Sequence, residues 1–491
     1  MAVIGVDAST TAVKALAFAS DGRVLASGRA SYPTNSPAPG HHEQDAEAWW
    51  RAFASAVREC LSGLGAPPEA IAVTHQRETF VLTGPDGAPV RPAILWLDER
   101  ARAQVAELSG LLGRERIRDL TGKPPDPTPA LYALRWLRTH EPEALAGAAM
   151  LHDAGGYLAW RLTGRHATAA PSADPLGMVD LASGRFADVL VEAAGLRADQ
   201  LPELVPTGGT MGRVGADAAS ATGLPEGLPV VAAAGDGQST GLGLGTARAG
   251  SAYLSLGSGV VLGVHADRLA TSDTYRTLLS PTGQGYALET VIRSGMTLVD
   301  WVVRLVGGGS ATALKDLTAA AADVPPGAGG LTAQPYWAGV MNPHWDPDAR
   351  GALVGLDLSH GPAHVMRAVL EGLAMEQALA ARAIEAEGGV AVDGVVAAGG
   401  GTRSAPLLGI MAACLNRPIG VSAVGEAAAL GAGVAAVVGA GLHADFDDAA
   451  AAMTGALERT VEPDPALVDA YASLIERYAA LHPALARFYS A

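Results

Sequence analysis

Short apolar runs broken by small polar turns open the chain. Val3 to Val6 reads as a strand, Asp7-Ala-Ser-Thr-Thr11 as a turn, and Val13 to Phe18 as a second strand. Ser20-Asp-Gly22 then supplies a hairpin turn, and Val24 to Arg29 returns as a third strand. After this meander the period changes. Gln44 to Trp50 starts a helix that runs to about Leu61, with Asp45 as its N-cap and Trp50, Phe53, Ala54 and Val57 on one apolar face. Ile71 to Thr74 and Ala93 to Leu97 read as strands, while Ala130 to Thr139, Leu151 to Thr163 and Phe186 to Ala194 read as helices. Val230 to Ala234 is a buried strand that stops at Gly235-Asp236-Gly237.

From Ala249 the pattern starts again. Ser251 to Val264 is strand, small polar turn, strand, as in residues 2 to 18. Val230 to Gly237 is echoed by Val395 to Gly401, a second apolar run ending in glycines. A long helix begins at Gly361-Pro362, with Met366, Val369, Leu370 and Leu373 as its buried stripe, and a final helical stretch covers about Pro465 to Tyr489. Two echoes in the same order predict two related α/β domains, residues 1–245 and 246–491, facing each other across a cleft.

Composition narrows the classes. The 491 residues are 49% hydrophobic and 17% charged, enough apolar content for large cores. A formal charge of −16 argues against non-specific nucleic-acid or anionic-membrane binding, both of which need a basic surface. It leaves room for an anionic nucleotide held by backbone N–H groups. Two cysteines, Cys60 and Cys414, form no disulfide framework, so a cytoplasmic home is expected. Leu430 to Leu442 is too short to span a membrane, which takes about 20 residues.

Candidate chemistry gathers at strand ends. Asp236, a carboxylate at the end of a buried strand, stands where open α/β sheets place their sites, although ordinary turns share its Gly-Asp-Gly composition. Gly399-Gly-Gly-Thr-Arg-Ser404, with Gly400 and Gly401 at its centre, joins a strand to a helix N-terminus and suits an anion, without being a Walker A loop. Gly257-Ser258-Gly259 adds a hydroxyl and flexible backbone, and Asp7, Thr10 and Thr11 face them from the other half as metal and phosphate contacts. Gln76-Arg77-Glu78 can grip vicinal hydroxyls, because guanidinium donates and carboxylate accepts; a solvated surface ion pair would look the same. Trp96 and Asp98, at the end of the next strand, are placed to share that pocket, with Trp96 as plain core the competing reading. Zinc-site, Gly-x-Ser-x-Gly and Rossmann patterns are absent.

Taken together, these residues resemble the FGGY carbohydrate kinases over nearly the whole chain. Gly351 to Glu371 is similar to the second family signature, Asp346 to Gly351 to the run before it, and Asp7 to Lys14 to the family's opening, with Ser9 in place of glycine. Val395 to Ser404 resembles the adenosine-side turn, and Glu426 to Gly431 a C-terminal family run. The resemblance implies an actin-like fold of two ribonuclease-H-like domains with an interdomain cleft. It implies Asp236 as catalytic base, Asp7 with Asp236 on the magnesium side, and Gln76, Arg77, Glu78, Trp96, Asp98 and Asp236 around the substrate. Thr10, Thr11, Lys14, Gly257, Ser258, Gly295, Gly400, Gly401 and Ser404 fall to the nucleotide.

ATP, Mg2+ and a small ketose or polyol are the implied partners, with no nucleic acid and no membrane, and a homodimer could form. Xylulokinase-like specificity is the leading expectation, glycerol or another polyol the alternative. Arg77-Glu78 and Glu289 look like glycerol kinase, whereas the Gly40 to Trp50 loop and Leu356 to His360 look like xylulokinases. Gly237 stands where both groups place a polar residue, no tyrosine lies near Thr128, and Ala133 replaces a lysine of the first signature. A non-catalytic actin-like binder is the rival class, and the presence of Asp7, Asp236 and Arg77-Glu78 argues against it.

Overall fold

The computed structural model describes residues 1–308, 310 and 312–489. Strands β1 (Ala2–Ala8) and β2 (Ala12–Ala19) pair antiparallel, and β3 (Val24–Ser31) completes the meander beside β2. Gly22 turns the second hairpin at φ 81°, a left-handed conformation that favours glycine. Helix α1 (Ala46–Ser62) starts where Asp45 accepts the Glu47 N–H, and it buries Trp49, Trp50, Phe53 and Val57. Strand β4 (Ile71–His75) lies parallel to β1. The apolar run from Leu151 is not one helix. Met150–Asp153 is a strand, and Asp153 accepts the Gly156 N–H to cap α2 (Ala154–Thr163). Strand β5 (Thr210–Arg213) pairs antiparallel to β6 (Pro229–Ala232), which runs parallel to β4. The six strands lie in the order β5-β6-β4-β1-β2-β3. Asp236 is the first residue of α3 (Asp236–Gly243), so the expected turn is a helix start.

The second sheet contains β7 (Ser251–Leu256), β8 (Val260–Ala266), β9 (Arg276–Leu279) and β10 (Tyr286–Ile292), followed by helix α4 (Gly295–Val306). The 27-residue helix α5 (Pro362–Gly388) follows, then β11 (Gly394–Ala398), α6 (Ala405–Leu415), β12 (Ile419–Ser422), α7 (Ala427–Gly439) and β13 (Leu457–Val461). Helices α8 (Pro465–Ala479) and α9 (Leu481–Tyr489) divide the single C-terminal helix expected from the sequence. The strand order is β9-β10-β8-β7-β11-β12-β13.

The two sheets share one topology. Each has an antiparallel meander, then two parallel strands, then an antiparallel edge, and the second adds β9 beyond its meander. The echo of β1–β2 in β7–β8 is therefore structural. The echo of β6 in β11 is not, because β11 occupies the place of β4, and β12 that of β6. Both runs end in glycines for different reasons: Gly235 and Gly237 make room for a side chain, whereas Gly399 sits at φ 99°.

Helix α3 of the first half meets helix α7 of the second. Helix α7 lies on the first sheet, where Ala429, Leu430, Ala432 and Val434 share a core with Val3, Leu16, Phe18 and Val231. The contact is backbone against backbone. A Cβ on Gly431 would lie 1.9 Å from Ser239 O, one on Gly243 2.0 Å from Ala427 O, and one on Gly5 2.1 Å from Ala429 O. No side chain fits at those distances without moving a helix. Gly431→Ala is expected to lower stability by about 3 kcal/mol, read as a lower urea midpoint with unchanged m. An unchanged midpoint would contradict a seam this tight.

Candidate active site

Asp236 sits at the first turn of α3, where its Oδ1 accepts the Gly237 N–H at 2.8 Å. Its side chain is 39% exposed, open enough to meet a ligand. Arg77 lies across it, with Nε 3.2 Å from Asp236 Oδ1. The two flanking glycines make this possible. A Cβ on Gly235 would fall 2.4 Å from Arg77 Cγ, and one on Gly237 2.7 Å from Arg77 Cζ. The guanidinium of Arg77 thus occupies the space that a side chain at Gly237 would take.

Arg77 also joins a buried charge network from the second half. Its Nη1 donates to Glu289 Oε2 at 3.0 Å. Arg276, on β9, donates through Nε and Nη2 to Glu289 Oε1 and through Nη1 to Glu78 Oε1 at 2.8 Å. Tyr253 donates its hydroxyl to Glu289 Oε2. Burial works against the charge of Glu289, but Arg276 and Arg77 hold its pKa down to about 2. Burial also works against Arg77, yet Glu289, Glu78 and Asp236 keep its pKa well above the arginine norm. Glu78 differs. Burial, with Asp236 and Glu289 nearby, raises its pKa despite the Arg276 contact. Its backbone is at φ 60°, a left-handed conformation that costs a non-glycine residue roughly 1–3 kcal/mol and tends to mark functional sites.

Other cross-lobe contacts surround this network. Lys123 Nζ binds Asp174 Oδ1 and donates to Thr277 O at 3.2 Å, while Asp174 Oδ2 accepts the Leu279 N–H at 2.9 Å. Arg293 donates to Thr128 Oγ1 at 2.8 Å and lies 3.3 Å from Glu99 and 3.6 Å from Asp126. Arg77, Lys123, Arg276 and Arg293 are therefore all paired with carboxylates.

Asp7 ends β1 in the neighbourhood of Asp236. Burial, then the Asp236 charge, raises its pKa to about 7; Lys14 acts against this and Glu426 adds to it. Asp7 Oδ1 is buried without a hydrogen-bond partner. An orphaned carboxylate oxygen facing a second carboxylate suits a divalent cation completed by phosphate and water. Among the described residues, no group of three or more His, Cys, Asp or Glu side chains forms a metal site, so such an ion would depend on the nucleotide.

The remaining expected residues divide. Gln76 is buried; it donates to Gln44 and keeps Oε1 free of partners. Trp96 donates its indole N–H to Thr10 Oγ1 at 3.0 Å, which ties that wall to the first turn. Asp98 is engaged by Arg100 of its own loop and by the His42 backbone. Its Oδ1 accepts the Arg100 backbone N–H and Nε, and its Oδ2 accepts Arg100 Nη2 and the His42 N–H, which fills all four acceptor positions. Gly257, Ser258, Gly400, Gly401 and Ser404 line one cavity of about 860 Å3 with Met296, Thr297, Asp300, Lys315 and Arg403. Thr10, Thr11 and Lys14 lie outside it, and Lys14 Nζ pairs with Glu426 at 2.6 Å. Gly295 is beneath the cavity, where its missing side chain lets Gly259 and Val260 pack close. Sequence reasoning did not single out Arg276 as a site residue. The available signal was a charge inside an apolar strand, which is rare unless it is paired.

Comparison with known proteins decides the class. The model of the FGGY family of carbohydrate kinases, N-terminal domain, matches residues 2–243, and that of its C-terminal domain matches residues 252–440. The chain belongs to the FGGY family of carbohydrate kinases. It is 32% identical to a glycerol kinase of Alkalilimnicola ehrlichii, over 92% of this chain and 93% of that one. It is 30% identical to the xylulose kinase of Escherichia coli, over 82% of each. The crystal structure of xylulose kinase from Rhodospirillum rubrum superposes with TM-score 0.91 at 30% identity, covering all of both chains. The fold is actin-like, and the kinase transfers phosphate from ATP to an alcohol group. Among the described residues no helix is long and apolar enough to cross a membrane.

Two outcomes test the site's electrostatics. Because the folded pKa of Asp7 is raised, its stabilising contribution is present below the unfolded value near 4 and is lost as pH rises through about 7. With metal chelated at pH 8, Asp7→Asn is expected to be about 2–4 kcal/mol more stable than the parent kinase, and the difference should vanish near pH 4. Urea melts at both pH values read this. Arg276→Met strands Glu78 and Glu289 and should cost about 3–5 kcal/mol. Adding Glu78→Gln should recover part of that loss, which a double-mutant cycle measures.

Proposed function

We propose that the kinase phosphorylates a primary hydroxyl of a small uncharged ketose or polyol, with a ketopentose of the xylulose type as first candidate. The observation that carries this is the meeting of Asp236, Arg77 and Glu78 with a fully paired set of cations. Among the described residues at the cleft no buried cation is left without a carboxylate partner, while donors and acceptors for vicinal hydroxyls are present in Arg77, Glu78 and Asp236. In this reading residues 1–245 carry the alcohol and residues 246–491 the nucleotide, with α7 returning to the first sheet.

Asp236 accepts the proton of the attacking hydroxyl as its oxygen bonds to the γ-phosphorus and the bond to the ADP oxygen breaks. Arg77 fixes that carboxylate in place. The Gly257-Ser258 and Gly400-Gly401 turns donate N–H groups to the nucleotide. Asp7 and Asp236 would hold Mg2+, which supplies charge neutralisation on the phosphates. Closure of the two lobes excludes water from the transfer. The two buried thiols, Cys60 and Cys414, fit a cytoplasmic setting.

Glycerol is the second reading, favoured by the Arg77–Glu78 pair, Glu289 and the 32% identity to a glycerol kinase. ATP-dependent turnover over pentuloses, pentitols and glycerol separates the two. Asp236→Asn is expected to lose about 10²–10⁴-fold in kcat with ATP binding retained. An active variant would remove Asp236 from the base role, and preferred turnover of a sugar acid would overturn the uncharged-substrate reading.

A further inference from the structure

A second pocket lies in the C-terminal lobe, beside the strand that carries Glu289. Strand β9 pairs with β10 only as far as Glu289, opposite Arg276. Beyond that point the outer edge of β10 is free, and Asn342 Oδ1 accepts the Val291 N–H at 2.9 Å. The space left there measures about 240 Å3. It is closed by Thr290 to Ile292 of β10, the inner face of α5, the Asn342 to His344 turn, and Tyr478 and His482 at the C-terminal helices. None of the cleft residues Asp7, Arg77, Asp236 or Arg276 lines it.

Its polar groups are unusual. Gln377 is fully buried, lines the space, and has neither amide atom hydrogen-bonded. Thr290, 2% exposed, lines it too with its hydroxyl unpartnered. A buried amide and hydroxyl left in this way cost about 1–3 kcal/mol each unless something meets them. The volume would hold about eight waters at roughly 30 Å3 each, and it falls just short of the roughly 300–1,000 Å3 of drug-sized pockets. The rest of the wall is apolar, with Val291, Ile292, Leu379, Ala380 and Ala383.

The charges argue for a neutral occupant. Glu376 accepts hydrogen bonds from the Tyr336 and Tyr478 hydroxyls, so a ligand anion would face a shielded carboxylate and no cation. His344 and His482 stack at 3.6 Å between ring centroids, and burial, with His482 beside it, lowers the pKa of His344 to about 4. A ligand cation would therefore meet an imidazole pair that is neutral at pH 7, and the one acid already bonded to two phenols.

We propose that this cavity is a second ligand site of the kinase, separate from the cleft, that takes a small uncharged polyhydroxy molecule through Gln377 and Thr290. The amide presents one donor and one acceptor side by side, which matches two neighbouring hydroxyls, and the threonine hydroxyl completes the polar edge.

Calorimetric titration of the full-length enzyme with glycerol, erythritol and xylitol, and with gluconate as charged control, tests this. At least one of the neutral probes should show a binding event that Gln377→Leu weakens by about tenfold. Ala380→Phe, which fills the cavity, should weaken the same event, while kcat in both variants stays within about twofold of the parent because neither residue belongs to the cleft. Should Ala380→Phe fail to fold, the near-isosteric Gln377→Leu decides alone. Because the cleft can also bind these alcohols, the readout is the event that Gln377→Leu weakens: its absence with all three neutral probes, or tighter binding of gluconate to the same Gln377-dependent site, would each overturn the proposal. The same holds for a high-resolution structure from a soaked crystal that shows only separate water peaks against Gln377.

Discussion

The cleft is held by one chain of opposite charges, Glu78–Arg276–Glu289–Arg77–Asp236, buried except at Asp236, which crosses between the two halves of the molecule at Glu78–Arg276 and again at Glu289–Arg77. Its logic is desolvation. Each charge is costly away from water, and each is tolerable because its neighbour along the chain has the opposite sign. Removing any member leaves the next one alone. The arrangement therefore fixes where the lobes meet and, at its end, where the carboxylate of Asp236 points. A charge ladder is weak evidence for stability but strong evidence for registry, since few other placements satisfy all five groups.

Around that chain the fold supplies two different services. The first half delivers polar side chains to the cleft from strand ends: Asp7 from β1, the Gln76 to Glu78 run from β4, and Asp236 just past β6. The second half delivers a roomy cavity edged by glycine turns from β7 and β11. The duplication of topology explains the symmetry of position. The difference in chemistry comes from the residues at the exit of each equivalent strand: Gln-Arg-Glu after β4, three glycines after β11. The same scaffold thus presents side chains on one face and backbone N–H groups on the other.

Much of this was legible in the chain. The meander strands, the Asp45-capped helix and the strand before Asp236 appear where periodicity and capping residues put them. The misses have physical causes. Leu151 to Thr163 reads as one helix because its apolar run is continuous, yet Asp153 has the side chain that stops a strand and starts a helix. The glycine endings of β6 and β11 look alike, but topological equivalence is set by neighbours in the sheet, which a linear pattern does not carry. Asp98 was expected beside the substrate, and only the folded chain reveals that Arg100, two residues on, takes its lone pairs. Arg276 and Glu289 stand out in apolar strands as buried charges, while their partners lie about two hundred residues away in sequence. Arg77 filling the space above Gly237 is equally beyond a linear reading, since it concerns what glycine leaves room for.

The glycine seam between α3 and α7 has a consequence for how such an enzyme diversifies. There the main chains touch, so the seam has no side chains to exchange and no slack to absorb an insertion. The Arg77 side chain laid over Gly235 and Gly237 is of another kind, since an exchange there changes the cleft without disturbing the frame. Scaffold and cleft surface are thus mechanically insulated from each other, which makes the ground around Arg77 the natural place for re-engineering.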